Sequence, residues 1–186
     1  AMKLLSNNAD KIVDEEEVVE TVKMSVADGV IHKDFFDKFK KILTLDDVKV
    51  KKIMTPKNKI THVKAGSSIE SLSYDFKHSQ HSRILVTEDG DLNKIKGYVL
   101  QKVMVQFLAD DKDDLIDRYL IDVVMVEEDM LLVDLIEILM KEAPLNTKAI
   151  RYIAAVKDKE GNTVGIVTLE DVIEEIFGEI IDETDS

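Results

Sequence analysis

The apolar positions along the chain fall into short blocks with two different periods. Near the N-terminus Val18, Val19, Val22 and Val26 follow the acidic run Glu15-Glu16-Glu17, and Gly29 ends the pattern. Phe35, Phe36, Phe39, Ile42 and Leu43 then recur at spacings close to the helical repeat, which predicts an amphipathic helix. Residues 1–47 read as a helical, acidic lead segment. From Val48 onward the chain reads as two related halves, offset by roughly 70 residues.

In the first half, Val50 to Pro56 reads as an extended lead-in. Ser67 and Glu70 have capping-box spacing, and Ile69, Leu72 and Phe76 would line one side of the helix they open. Arg83 to Val86 and Gly97 to Leu100 are short β runs on either side of an Asp89-Gly90-Asp91 turn. Val103, Met104, Phe107 and Leu108 then return to helical spacing. The second half repeats this order. Val123 to Val126 is extended, Met130 to Met140 is a strongly apolar helix, and Tyr152 to Val156 is a strand. A turn at Asp158 to Asn162 leads to a strand from Val164 to Val167. A helix from Leu169 to Phe177 stops at Gly178, a residue type suited to the position after a helix end. Between the halves, Asp110 to Asp114 reads as a solvated linker.

A unit of about 60 residues buries too little surface to be comfortable alone, so the two halves are expected to pack their sheets together. The predicted fold is α/β (α+β): two β-α-β-β-α half-domains about a pseudo-twofold axis, with an N-terminal helical extension. The expected boundaries are 1–47 for the lead segment, 48–118 and 119–182 for the halves, and 183–186 for a tail.

Charge removes several function classes. The 186 residues hold 38 acidic and 25 basic side chains, a formal net charge of -13. A nucleic-acid binder needs a cationic footprint, and a polybasic membrane anchor needs the same. With no cysteine, disulfides and thiolate metal sites are excluded. No apolar run approaches the roughly 20 residues that span a bilayer, and no leader pattern opens the chain, so a soluble cytoplasmic polypeptide is expected. Neither a Gly-x-Ser-x-Gly elbow nor a phosphate-binding Gly-rich loop occurs, and no acid–base pair makes a case for catalysis. His78 and His81 are spaced to share a helix face as metal ligands but lack a partner at a recognisable distance. The acids Glu170, Asp171, Glu174, Glu175, Glu179, Asp182 and Glu183 read as a solvated face, without a Ca²⁺-loop pattern.

One junction carries candidate chemistry. Thr168-Leu169-Glu170-Asp171 puts a hydroxyl three residues before a carboxylate where a strand enters a helix, and locally that fits a helix cap. Its surroundings, Gly165 through Ile180, closely resemble the end of the second cystathionine-β-synthase-type (CBS) motif of CorC/CNNM-type magnesium and cobalt transport proteins. Ile53-Met54-Thr55-Pro56 resembles the start of their first motif, and Ser79 to Ile84 their Ser-x-His-Ser-Arg stretch. Glu15 to Asp47 resembles the segment that joins their transmembrane domain to the CBS pair.

The resemblance implies a tandem CBS pair that binds an adenine nucleotide between its halves. Asp171 would hold both ribose hydroxyls and Thr168 the ribose or phosphate, with Thr55, Ile60, Ser82 and Arg83 contributed by the first half. Arg83 would be the phosphate counter-charge, with Lys57 a weaker candidate. In the other pseudo-symmetric cleft Leu100 and Val103 stand where Thr168 and Asp171 do, so at most one nucleotide per chain is expected. Leu85 stands where the family typically has proline. The implied ligand is ATP with Mg²⁺, with ADP or AMP as alternatives, and no metal is held by the protein's own side chains. The implied partner is a second copy, through the motif helices. The implied setting is the cytoplasmic face of the inner membrane, with the parent transmembrane domain absent from this chain. The implied role is regulatory, not enzymatic; a structural dimerisation module with an empty cleft is the alternative, and nucleotide hydrolysis a distant third.

Overall fold

The computed structural model describes residues 15–141 and 152–178. Expectations that fall on Glu179, Ile180, Asp182, Glu183 and the 183–186 tail lie outside the described residues. The chain divides into two units, one ending at Leu45 and one beginning at Asp46. The first contains helices α1 (Glu15–Ala27) and α2 (Lys33–Leu43), which touch each other across a turn where Gly29 takes φ +72.

The second unit contains two sheets built to the same plan. Its elements are α3 (Val50–Ile53), β1 (Thr55–Pro56), β2 (His62–Lys64), α4 (Ser73–His78), β3 (Arg83–Thr87), β4 (Ile95–Leu100) and α5 (Gln101–Ala109). The second half adds β5 (Val124–Glu127), α6 (Leu132–Met140), β6 (Ile153–Lys157), β7 (Thr163–Thr168) and α7 (Leu169–Phe177). One sheet has the order β2-β3-β4, and the other β1-β7-β6-β5. In each, a parallel pair (β2 with β3, β5 with β6) precedes an antiparallel one (β3 with β4, β6 with β7). Arg83 pairs with Leu100 in one sheet as Ile153 pairs with Thr168 in the other, and both sheets carry an irregularity at the matching place, Val86/Thr87 and Val156/Lys157.

Strand alternation sorts the side chains. In the first half Ile84, Val86 and Val99 point to the helix side, where they form a core with Ile69, Phe76 and Met104. Leu85 and Tyr98 point the other way and meet Ile153 where the halves join. Arg83 and Leu100 share that second parity, so they face the junction between halves.

The halves are also joined through hydrogen bonds. β1 leaves its own half and pairs with β7, Thr55 opposite Ile166 and Pro56 opposite Gly165. Its mirror image is a single bridge between Tyr98 and Ile121. Both crossings pass over glycine. A Cβ on Gly165 would stand 2.6 Å from the Thr55 carbonyl oxygen, and one on Gly97 would stand 2.7 Å from that of Ile121. At the far end Asn93 fastens the β3–β4 loop to β7. Its Oδ1 accepts from the Thr163 N–H at 2.8 Å, and the buried Thr163 hydroxyl donates to the Leu92 carbonyl at 2.6 Å.

Several expectations are corrected. Val50 to Ile53 is helical, not extended; the Val50 and Lys51 N–H groups, which the start of a helix leaves without an internal partner, are satisfied by the Met130 and Glu128 carbonyls. The strand of the first half's parallel pair is β2 at His62–Lys64, further along than the extended lead-in anticipated. Ser67 and Glu70 form no capping box. The Ile69 N–H goes to the Asp114 carbonyl at 2.9 Å and the Glu70 N–H to Asp113 Oδ1 at 3.0 Å, and a 3-10 turn at Glu70–Leu72 precedes α4. Asp110 to Asp114 is accordingly more than a solvated linker. Asp114 also accepts from the Leu115 N–H and the Tyr119 hydroxyl, and these bonds hold its carboxyl below the usual range.

Candidate functional site

β7 ends at Thr168, whose extended backbone (φ -118, ψ 166) turns the chain into α7. The Thr168 hydroxyl accepts from the Asp171 N–H at 3.2 Å. Asp171 Oδ2 accepts from the Thr168 N–H at 2.6 Å and from its hydroxyl at 2.7 Å. This is a reciprocal capping box, so the local reading of the junction holds. The box uses one carboxylate oxygen only. Oδ1 has no hydrogen-bond partner among the described residues, and a carboxylate offers about four acceptor positions.

Opposite this junction lies the start of β3. Arg83 sends Nη1 to Glu170 Oε1 at 2.9 Å, and its guanidinium stands 4.6 Å from the centre of the Tyr152 ring. Its Nε is buried with no hydrogen-bond partner among the described residues. β1 brings Thr55 alongside Ile166, and the 3-10 turn Lys57–Lys59 delivers Ile60.

These pieces enclose a cavity of about 350 Å³ between the two halves, within the range of roughly 300–1,000 Å³ typical of small-molecule sites. Thr55, Ile60, Ser82, Arg83, Thr168 and Asp171 all border it. Lys57 does not; its ammonium lies 3.3 Å from Asn93 Oδ1, at the outer end of the halves' junction. Lys59 lines the cavity instead. Two residues apart in a turn with three residues per repeat, the two lysines point to different sides. Leu85 sits in a regularly paired part of β3, opposite Tyr98, buried, as part of the apolar wall.

Sequence reasoning passed over Lys59, Glu170, Ile153 and Ile166 as lining residues. Strand parity carried a signal for one of them: Ile166 lies two before Thr168 on the same strand face. Ile153 pairs with Thr168 across the sheet, which needs the register. Apolar Ile60, Leu85, Ile153 and Ile166 thus form a slot beside polar Thr55, Ser82, Thr168 and Asp171. The charged lining groups are Lys59 and Arg83 against Glu170 and Asp171, so the cavity is close to neutral. His81 borders the cavity, whereas His78 stacks on Tyr74 with ring centres 4.1 Å apart. Among the described residues, no three His, Asp or Glu side chains gather around a point that could hold a metal ion.

Comparison with known proteins places this geometry. The CBS domain family matches residues 114–178. Hemolysin C of Rickettsia prowazekii (strain Madrid E) is 33% identical over 153 residues, 82% of this chain and 48% of that protein. The chain therefore spans about half the length of the curated relatives it matches. Among solved structures, the CBS domain of a bacterial CNNM/CorC family Mg²⁺ transporter is similar with a TM-score of 0.77 and 27% identity, covering 92% of this chain and all of that one. The structure of such a CBS domain in complex with ATP is similar with a TM-score of 0.66 and 27% identity, over 77% of this chain and 97% of that one. No helix among the described residues is long and apolar enough to cross a membrane. With its two matched sheets and the cleft between them, the chain carries a CBS domain and has the CBS-pair fold of the CNNM/CorC-family CBS domains.

Proposed function

We propose that the chain is a regulatory adenine-nucleotide-binding module, with Mg·ATP as its leading ligand, in a longer magnesium and cobalt transport or efflux protein. The observation that carries this reading is the convergence of six residues from both halves on one cavity at a strand-to-helix junction. The similarity to an ATP-bound CBS domain supports the class of ligand. The adenine ring would occupy the slot formed by Ile60, Leu85, Ile153 and Ile166. The ribose diol would donate to the open Oδ1 of Asp171, or replace the Thr168 hydroxyl on Oδ2, so capping and ligand binding are compatible roles.

The phosphates would meet Arg83, Lys59 and the N-terminus of α7, where the Thr168, Leu169 and Asp171 N–H groups are already bonded and the Glu170 N–H, with the positive end of the helix dipole, is left to favour an anion. Arg83 is already paired with Glu170, so a triphosphate brings more negative charge than the site balances. Mg²⁺ carried in with the nucleotide supplies the missing charge. ADP and AMP need less of it and remain the alternative ligands. The nucleotide contacts both halves, so it would favour whichever arrangement of the halves closes on it. Two copies joined through the motif helices would pass that preference to the transporting part of the protein at the cytoplasmic face of the inner membrane. The reading makes the module a sensor with no catalytic residue of its own.

A structural scaffold is the second reading, and the capping box favours it, since Asp171 already has a local role. Calorimetric titration with ATP, ADP and AMP, with and without Mg²⁺, separates the two. Binding strengthened by Mg²⁺ for ATP is the expected result. Absence of heat with every nucleotide leaves the scaffold. Sedimentation of the chain with and without Mg·ATP tests the homodimer.

A further inference from the structure

A second cavity, of about 420 Å³, lies where the pseudo-twofold axis sends the first. The register fixes the correspondence. Leu100 stands where Thr168 does, at the end of a strand opposite Arg83 as Thr168 is opposite Ile153. Tyr98 matches Ile166, and Ile121, bridged to Tyr98, matches Thr55. One residue further into the helix than Gln101, Lys102 occupies the place of Glu170, and Val103 that of Asp171. Val103 packs against the core around Phe76 and Met104. The hydroxyl and carboxylate that suit a ribose diol are both gone.

The cleft is nevertheless open, its charged side chains are of one sign, and Ser82 and Gln101 add neutral polar groups to its edge. Its walls are Tyr98, Leu100, Ile121 and Tyr152, and its charges are Arg83 and Lys102, with no carboxylate among the described lining residues. Arg83 is paired with Glu170 at 2.9 Å outside this lining, so the cleft's excess positive charge, in a chain of net charge -13, is that of Lys102 beside an apolar floor. Arg83 borders both cavities; Glu170 satisfies only its Nη1, and Nε is the one buried side-chain polar atom without a partner among the described residues. Nε is shut off from solvent and out of a ligand's reach, so the outer N–H groups of the guanidinium are the donors that an acceptor in the cleft would meet. Burial pushes the Tyr98 phenol up from its ordinary pKa, so it stays neutral beside the cations.

We propose that this second cleft binds a small apolar carboxylate, an aromatic or branched aliphatic body with a single acid group, and not a nucleoside. The acid group meets Arg83 and Lys102, a pairing of anion with guanidinium and ammonium, while the body lies against Leu100, Ile121 and the two tyrosine rings. The proposal does not depend on nucleotide occupying the first cleft.

The test is titration of the chain with 2-naphthoate and with neutral 2-naphthylmethanol, followed by calorimetry and saturation-transfer NMR. Naphthoate is expected to bind more tightly than the alcohol by about tenfold or more, the size of one charge-assisted hydrogen bond. Lys102 is exposed in the first turn of α5, so Lys102→Glu should fold normally and erase that advantage. Leu100→Phe, which fills the cleft from its apolar wall, should remove binding of both compounds. Lys59→Glu, which changes the charge of the first cavity alone, should leave naphthoate binding as it is, and that separates this cleft from the first. Equal affinity for acid and alcohol, naphthoate binding untouched by Lys102→Glu, loss of naphthoate binding in Lys59→Glu, or no binding at millimolar concentration each overturns the proposal.

Discussion

Asp171 offers the sharpest quantitative test, because its two roles have separate readouts. Replacing it with alanine removes the acceptor of two bonds, 2.6 Å from the Thr168 N–H and 2.7 Å from the Thr168 hydroxyl. Loss of a helix N-cap interaction costs about 1 kcal/mol, which for a chain of this size lowers the melting temperature by about 2–4 °C. The ligand role is worth more. Each ribose hydroxyl bonded to a carboxylate contributes about 1.5–3 kcal/mol, so losing both weakens ATP binding by roughly two to four orders of magnitude. Asp171→Asn keeps one acceptor oxygen for the cap, and it should melt near wild type while binding with intermediate affinity. The decisive comparison adds 2′-deoxy-ATP. In the wild type, removing one hydroxyl should weaken binding by about tenfold or more; in Asp171→Ala it should change nothing, because the partner is already missing. Calorimetry on the four combinations gives the coupling directly. If the penalty for the missing hydroxyl is undiminished in Asp171→Ala, the sugar is held elsewhere and the assignment of this carboxylate fails.

Three further outcomes follow from the scaffold. Gly165→Ala and Gly97→Ala each force a methyl against a backbone carbonyl, at 2.6 Å and 2.7 Å, and neither neighbour is a flexible side chain end; urea denaturation should show a loss of about 1–3 kcal/mol in each, and an unchanged midpoint would mean that the crossing strands are not held close. Asn93→Ala leaves the Thr163 N–H without its acceptor in a part-buried place, a cost of about 1–3 kcal/mol that should appear as faster amide exchange at Thr163; exchange as slow as in wild type would refute it. Asp129 is held down to about 2, from 3.8, by hydrogen bonds from Lys51 and Lys49. Its folded value lies below its unfolded one, so its stabilisation is present above pH ~4 and is lost as pH falls through about 2. Asp129→Asn should therefore melt below wild type at neutral pH, by a modest margin because the partners are exposed, with the gap closing as acid is added; a gap that does not vary with pH would refute this.

What the sequence disclosed, and what it hid, follows from the range of the forces involved. The short β runs at Arg83 to Val86 and Val164 to Val167, the turn at Asp89-Gly90 and the helix stop at Gly178 are set by neighbours within a few residues, and each was legible. The cap at Thr168 and Asp171 was legible for the same reason. The identical spacing at Ser67 and Glu70 misled, because distant Asp113 and Asp114 claim the N–H groups that a local cap would have used. β2 has only three residues, too few to display a period, and exists because β3 lies beside it. Lys57 and Lys59 could not be told apart without the pitch of the turn that carries them. Gly97 and Gly165 stood in plain view within β runs, yet their purpose required knowing which strand crosses above each.

The pairing of β1 with β7 has a consequence for how the molecule can be divided. The second repeat borrows the outermost strand of its sheet from residues that belong to the first. Cut the chain in the Asp110 to Asp114 region, and the later piece loses that border and exposes the ladder groups of β7, the kind of naked rim that recruits other chains. The repeated half is thus not a unit of folding: one half cannot be removed or expressed by itself without exposing the other.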